Sequence, residues 1–140
     1  MEEEFAIQKV INTYSQYASL GEWDTVLALF LPDAVWSIPH LDAKLEGRDA
    51  IAGALKAFIG EMDYVLQHNS PALIEVDGTT AIARSGIREC GKSAGKDEGF
   101  EYFGIYVDTL EKVSGEWTFK ERVFRGLGSS YFPLLRGEKH

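Results

Sequence analysis

Three histidines, six tyrosines and one cysteine hold most of the acid–base and nucleophilic capacity of this chain. His68 is the candidate proton shuttle, because an imidazole titrates close to neutral pH and serves as general acid or base. It follows Leu66-Gln67, after an amphipathic stretch and inside a run with strand character. A hydrogen-bonded structural histidine, or one exposed at a strand end, is the competing reading. His40, in Ile38-Pro-His-Leu-Asp42, pairs with Asp42, enters a pocket, or is an exposed loop residue. Tyr14, Tyr17, Tyr102 and Tyr106 carry phenols that can donate a hydrogen bond to a carbonyl or a developing enolate oxygen. The histidines are scattered, without His-x-x-x-His spacing or a cysteine pair, so no metal site is expected. Cys90 lacks a neighbouring signal for thiol activation.

Gly86-Ile-Arg-Glu-Cys-Gly91-Lys92-Ser93 matches the phosphate-binding loop pattern letter for letter. That loop works only between a strand and a helix whose N-terminal amides meet the phosphate. Gly86 falls inside a strand pattern, and Ala-Gly-Lys-Asp-Glu-Gly after Ser93 will not make a helix. The segment therefore reads as a hairpin loop with solvated lysines.

The elements that must position these residues divide the chain in two. Phe5, Ile7, Val10, Ile11, Tyr14 and Ala18 recur at helical spacing. Gly21 breaks that helix, and Trp23, Val26, Leu27 and Phe30 form a shorter one ended by Pro32. Val35 to Ile38 reads as a strand, and Ile51, Leu55, Phe58, Ile59 and Met62 mark a third helix. After Tyr64 the period becomes two. Residues 64–76 read as one strand interrupted at Pro71, Asp77-Gly78 as a hairpin turn, and 80–89 as the return strand. A loop over 91–99, strands over 100–112 and 117–125, and a tail over 126–140 complete the order. Helices first and an antiparallel meander afterwards imply an α+β domain, one unit over residues 1–140.

Composition bounds the partners. With 45% hydrophobic and 26% charged residues and a net charge of −8, the chain offers no basic surface for nucleic acid or anionic membrane. One cysteine excludes an internal disulfide, and Glu2-Glu3-Glu4 stands where a signal peptide would need positive charge, so a cytoplasmic location is expected.

Phe30-Leu-Pro-Asp-Ala-Val-Trp-Ser-Ile-Pro, followed by Leu45-Glu-Gly-Arg-Asp-Ala-Ile51, resembles the SnoaL-like branch of the nuclear-transport-factor-2-like superfamily. Scytalone dehydratase and ketosteroid isomerase belong to that superfamily. The resemblance covers about residues 5–125. It implies a cone-shaped α+β domain, with three N-terminal helices packed on a curved, mainly antiparallel sheet around a pocket for a small hydrophobic molecule. It implies a catalytic role for His68, since Leu66-Gln67-His68 matches the place of the catalytic histidine in related dehydratases and dehydrochlorinases. It also implies an inward set of Ala83, Ser85, Ile87, Phe100, Tyr102, Gly104 and Tyr106. Tyr14, Tyr17, Trp36 and His40 would line the helical side and mouth, and a homodimer would form on the face bearing Arg84 and Arg88.

The sequence departs from the family pattern at several positions. Ser19 stands where the His-dependent relatives carry the acid that activates the histidine, and a serine cannot stabilise an imidazolium as a carboxylate would. Ile38 falls at the ketosteroid-isomerase base, and Gly104 and Tyr106 near the Ser and Asn of scytalone dehydratase. The implied function is a cofactor-independent dehydratase, isomerase or cyclase acting on a cyclic carbonyl or hydroxyl compound. The alternatives are a non-catalytic ligand-binding or interaction module of the same fold, or a structural protein like a dioxygenase small subunit.

Overall fold

The computed structural model describes residues 1–134. Helix α1 (Glu2–Ser19) buries Ile7, Ile11, Tyr14, Ser15 and Ala18, a single stripe at three- and four-residue spacing. Its three N-terminal glutamates favour the positive end of the helix dipole. Glu3 also accepts hydrogen bonds from Lys112 Nζ and Trp117 Nε1, which ties the helix to the sheet. Gly21, at φ +77°, turns the chain into the short helix α2 (Trp23–Leu27).

Strand β1 (Phe30–Ile38) begins earlier than the sequence pattern suggests. Phe30 is already paired with Phe119, and a register shift before Val35 accommodates Pro32, which has no N–H to donate. Pro39–Leu41 forms a 3₁₀ turn. Asp42, at φ 51°, then leads into β2 (Ala43–Glu46), a short edge strand. Helix α3 (Arg48–Gly60) buries Ile51 and Leu55.

The run expected as one strand over 64–76 is two, β3 (Met62–Asn69) and β4 (Leu73–Asp77), both antiparallel to β5 (Thr80–Ser93). Between them Ser70 closes the ladder. Its backbone N–H donates to Gly86 O at 2.9 Å, and its Oγ accepts from Gly86 N–H at 2.8 Å. Strands β6 (Glu98–Val113) and β7 (Glu116–Pro133) complete the meander. The expected loop over 91–99 is therefore mostly ladder. The expected tail is strand through Pro133, and its remaining part, 135–140, lies outside the described residues.

The sheet runs β2-β1-β7-β6-β5-β3, with β4 also on β5, and among the described residues only the β1–β7 pair is parallel. Helices cover one face, where Tyr14 meets Phe30 and Phe119 edge-to-face and those two rings lie tilted against each other in the apolar core. The opposite face exposes Leu66, His68, Ile82, Arg84, Arg88, Phe103 and Ile105. Among the described residues no helix is long and apolar enough to cross a membrane.

Candidate functional site

Strand alternation and register decide which side chains meet on the helix-covered face. On β5 the inward series is Ala83, Ser85, Ile87, Glu89 and Gly91; on β6 it is Phe100, Tyr102, Gly104, Tyr106 and Asp108. On β3 it is Val65, Gln67 and Asn69. One row across the sheet therefore reads Gln67, Glu89, Tyr102, and a deeper one Ser85, Tyr106, Phe124.

His68 is not on this face. It is exposed, its cross-strand partner is Arg88, and Arg88 is bonded to Glu101 on the outer side. The neighbouring Gln67 takes the inward place, only 5% exposed. The apolar pattern could not decide between the two registers, because Tyr64 and Leu66 on the outer face are as hydrophobic as Val65 on the inner one.

The interior wall opposite the aromatics is polar and connected. Gln67 Nε2 donates to Glu89 Oε2 at 2.6 Å, and Gln67 N–H donates to Ser19 Oγ at 2.9 Å. Ser19 in turn donates to the Ser15 carbonyl, which fixes the end of α1 against β3. Ser15 Oγ donates to Asn69 Oδ1, and Asn69 Nδ2 reaches Ser85 Oγ at 3.3 Å.

Glu89 is half-buried, and among the described residues no Lys, Arg or His forms an ion pair with it. Burial pushes its carboxyl up to about 7, against the pull of the Gln67 hydrogen bond. After burial, its negative charge is among the lesser influences that raise the phenols of Tyr14, Tyr102 and Tyr106.

Tyr102, the cross-strand neighbour of Glu89, also borders a cavity of about 420 Å³. Phe58 and Met62 line that cavity from the α3–β3 side, Phe100 and Tyr131 from the sheet, and Lys96 from the β5–β6 turn. The Tyr102 and Phe100 rings stack with centroids 5.0 Å apart. The hydroxyls of Tyr102 and Tyr131 share a hydrogen bond of 2.7 Å. Burial first, and then Tyr131, raises the Tyr102 pKa, so its phenol stays protonated.

Deeper in, Arg122 is fully buried and donates from Nε to Asp108 Oδ1 at 3.0 Å. Its guanidinium lies 3.6 Å from the Tyr106 ring centroid and 4.1 Å from that of Tyr14. Nη1 and Nη2 of Arg122 and Oδ2 of Asp108 have no hydrogen-bond partner among the described residues. Burial raises the Asp108 carboxyl, against the attraction of Arg122.

The remaining expected site residues separate. Ser85, Tyr14 and Tyr106 are buried on the concave face. Trp36 packs against the core beside Arg122, its Nε1 buried without a partner among the described residues. Tyr17 is 38% exposed. It lies three residues from Tyr14 but off the stripe α1 buries. His40 is exposed, and its ring covers Gly126 and packs on Phe124. The lysine of the phosphate-loop pattern, Lys92, is in strand β5 and paired with Asp63 rather than solvated in a loop. No cluster of three or more His, Cys, Asp or Glu side chains among the described residues could hold a metal ion.

Sequence reasoning missed Glu89, Gln67 and Tyr131. The parity that places Ala83, Ser85 and Ile87 inward gives Glu89 two residues later, so this signal was present. Gln67 was hidden by the ambiguous register of β3, and Tyr131 by the absence of a turn signal separating strand from tail.

The comparisons with known proteins agree with this architecture. A protein from Novosphingobium aromaticivorans described as a candidate scytalone dehydratase is 28% identical, with a TM-score of 0.85 over 97% of this chain and 95% of its own. A type-2 hexachlorocyclohexane dehydrochlorinase superposes with a TM-score of 0.85 at 13% identity, covering 99% of this chain and 94% of its own. A candidate aromatic ring hydroxylase from Novosphingobium aromaticivorans gives the same TM-score at 18% identity, over 94% of each chain. No curated protein matches the sequence. The SnoaL-like domain model matches residues 1–123, almost the whole helix-and-sheet unit, and the chain belongs to that family.

Proposed function

We propose that the concave face is a small-molecule site that transfers a proton, with Glu89 as its acid–base group. The observation that carries this reading is the Glu89–Gln67 hydrogen bond of 2.6 Å, set inward beside Tyr102 and without a cation. A carboxyl poised near 7 holds both protonation states at working pH, the condition for general acid–base catalysis. Tyr102, kept neutral and bonded to Tyr131, supplies a hydrogen-bond donor for a carbonyl or hydroxyl oxygen of the ligand. Phe58, Met62 and Phe100 suit an apolar, cyclic body. Elimination of water or a related leaving group, or isomerisation, fits these parts. The dehydratase and dehydrochlorinase neighbours support that class through the fold.

The test is a thermal-shift screen against cyclic ketones, hydroxylated aromatics and lactones, with product analysis of each hit. Glu89→Gln should reduce turnover by about 10²- to 10⁴-fold, the usual contribution of a positioned acid–base group. His68→Ala, on the outer face, should leave turnover unchanged. Full activity in Glu89→Gln would remove Glu89 from the reaction. A second reading, a binding module without chemistry, draws on Ser19, whose hydroxyl is occupied by backbone contacts where relatives carry an acid. Stabilisation without product at any pH would favour it.

A further inference from the structure

Gln67 is bonded to Glu89 through one half of its amide, while its other half, Oε1, is buried and has no partner among the described residues. A buried acceptor left unpaired is costly, on the order of 1–3 kcal/mol, so its persistence beside the candidate acid–base group calls for a role. An amide has nearly the same shape in its two orientations and exchanges donor for acceptor when it turns over.

We propose that the Gln67 amide turns over with the proton on Glu89, so that Gln67 is a second ligand-contacting group whose hydrogen-bonding sense follows the state of the reaction. This rests on the reading of Glu89 given above. With Glu89 ionised, Nε2 donates to its carboxylate and Oε1 is the free atom, an acceptor for a hydroxyl or N–H of the ligand. With Glu89 protonated, the new O–H donates to Oε1, the amide rotates, and Nε2 becomes the free donor. The step balances. An X–H bond of the ligand breaks, its electron pair stays on the ligand, and the proton forms an O–H bond on Glu89. The negative charge then left on the ligand meets an N–H donor where a carbonyl stood before. The ligand class selected is one whose hydroxyl becomes an oxyanion as the proton leaves.

The surroundings leave Glu89 and Gln67 to set this exchange between them. On β3 the inward neighbours of Gln67 are Val65 and Asn69, both uncharged. From β6, Tyr102 lies opposite Glu89, while Tyr106 and, from α1, Tyr14 sense its charge from farther off; all three phenols are held above their ordinary pKa, chiefly by burial, and stay neutral. On β7, Tyr131 is bonded to Tyr102, and Arg122 is bonded to Asp108 of β6 several rows deeper.

Side-chain NMR of the full chain tests this without a ligand. Glu carboxyl carbons, Gln amide carbonyl carbons and Gln NH₂ groups are followed from pH 5 to pH 9. As pH falls through the Glu89 midpoint, the Gln67 carbonyl carbon should move downfield on gaining a hydrogen bond, and its NH₂ protons upfield on losing one. Both changes should vanish in Glu89→Gln. Movement of the NH₂ signal alone means that the amide keeps one orientation, which overturns the exchange and leaves Glu89 standing as the acid–base group. A Glu89 carboxyl that titrates like an ordinary glutamate overturns the reading of Glu89 itself. The wild-type titration decides both questions even if the variant does not fold.

Discussion

Replacing Glu89 by glutamine should stabilise the protein above neutral pH while abolishing the chemistry proposed for it. The carboxyl is raised from 4.5 to about 7, so the folded chain holds a proton that the unfolded chain has already released. Between those two values the native state binds more protons than the unfolded state, and stability falls as pH rises. The stabilising contribution of the protonated form is complete below pH 4.5 and gone above pH 7. At 1.36 kcal/mol per pKa unit, the rise amounts to about 3 kcal/mol. Glutamine has no charge to desolvate, and its carbonyl can still accept from Gln67 Nε2, so the variant avoids that loss. Urea denaturation of both proteins from pH 4.5 to pH 8.5 is the assay. The difference between them should be near zero at the acid end and grow to about 3 kcal/mol by pH 8. In a domain of this size that corresponds to a melting-point gain of roughly 6–12 °C. Asp108 is raised as well and gives both proteins a similar slope, so the difference, not either curve alone, carries the information. A flat difference would show that Glu89 is as well solvated folded as unfolded, and the argument for a poised carboxyl would fail.

Two further outcomes follow from the interior. Asp108→Ala leaves Arg122 as a buried cation without its carboxylate and should cost about 3–5 kcal/mol in denaturant titrations, whereas Asp108→Asn, which keeps an acceptor for Nε, should cost less. Gly104→Ala would press a methyl group against the Arg125 carbonyl and place it 2.8 Å from the Phe124 ring, so the strands must shift; a loss of about 1–3 kcal/mol is expected, read as a lower denaturation midpoint.

Much of the architecture was legible because it rests on periodicity. The stripe Ile7, Ile11, Tyr14, Ala18 fixes α1, and Asp77-Gly78 marks a hairpin at the place where β4 does turn into β5. Errors came where local signals conflict with pairing. Pro32 looks like a helix stop, yet it lies within β1 at a register shift, because Phe30 gains a place against Phe119 and Tyr14. The glycines and lysines over 91–99 look like loop, yet a Cβ at Gly91 would run into the Tyr64 carbonyl and the Phe100 ring, and one at Gly99 into the Phe132 ring, so both glycines serve close packing within the ladder. Period two separates the faces of β5 and β6, and the inward series Ala83, Ser85, Ile87 and Tyr102, Gly104, Tyr106 is the one implied by the family resemblance. On β3 the register sets Gln67 inward and His68 outward, and the candidate acid–base role passes from His68 to Glu89, the cross-strand partner of Gln67.

The two interior carboxylates are treated differently, and that contrast bears on function more than either does alone. Asp108 lies at the bottom of the concave face and is matched by Arg122, whose charge is further supported by the faces of Tyr106 and Tyr14. Such a pair contributes little net stability against a hydrophobic replacement, but it holds two phenols in fixed orientation. Glu89 sits nearer the cavity bordered by Tyr102 and receives only a neutral amide. If its role were structural, a leucine or methionine in the same place would avoid the desolvation cost of about 3 kcal/mol and lose one hydrogen bond. Leucine at this position is therefore the most economical test of purpose. Glu89→Leu should be at least as stable as the wild type at pH 8, and a fold that tolerates it while losing every ligand response would tie the carboxylate to the ligand. A fold that collapses with it would tie the carboxylate to the Gln67–Ser19–Ser15 connections that hold α1 on the sheet.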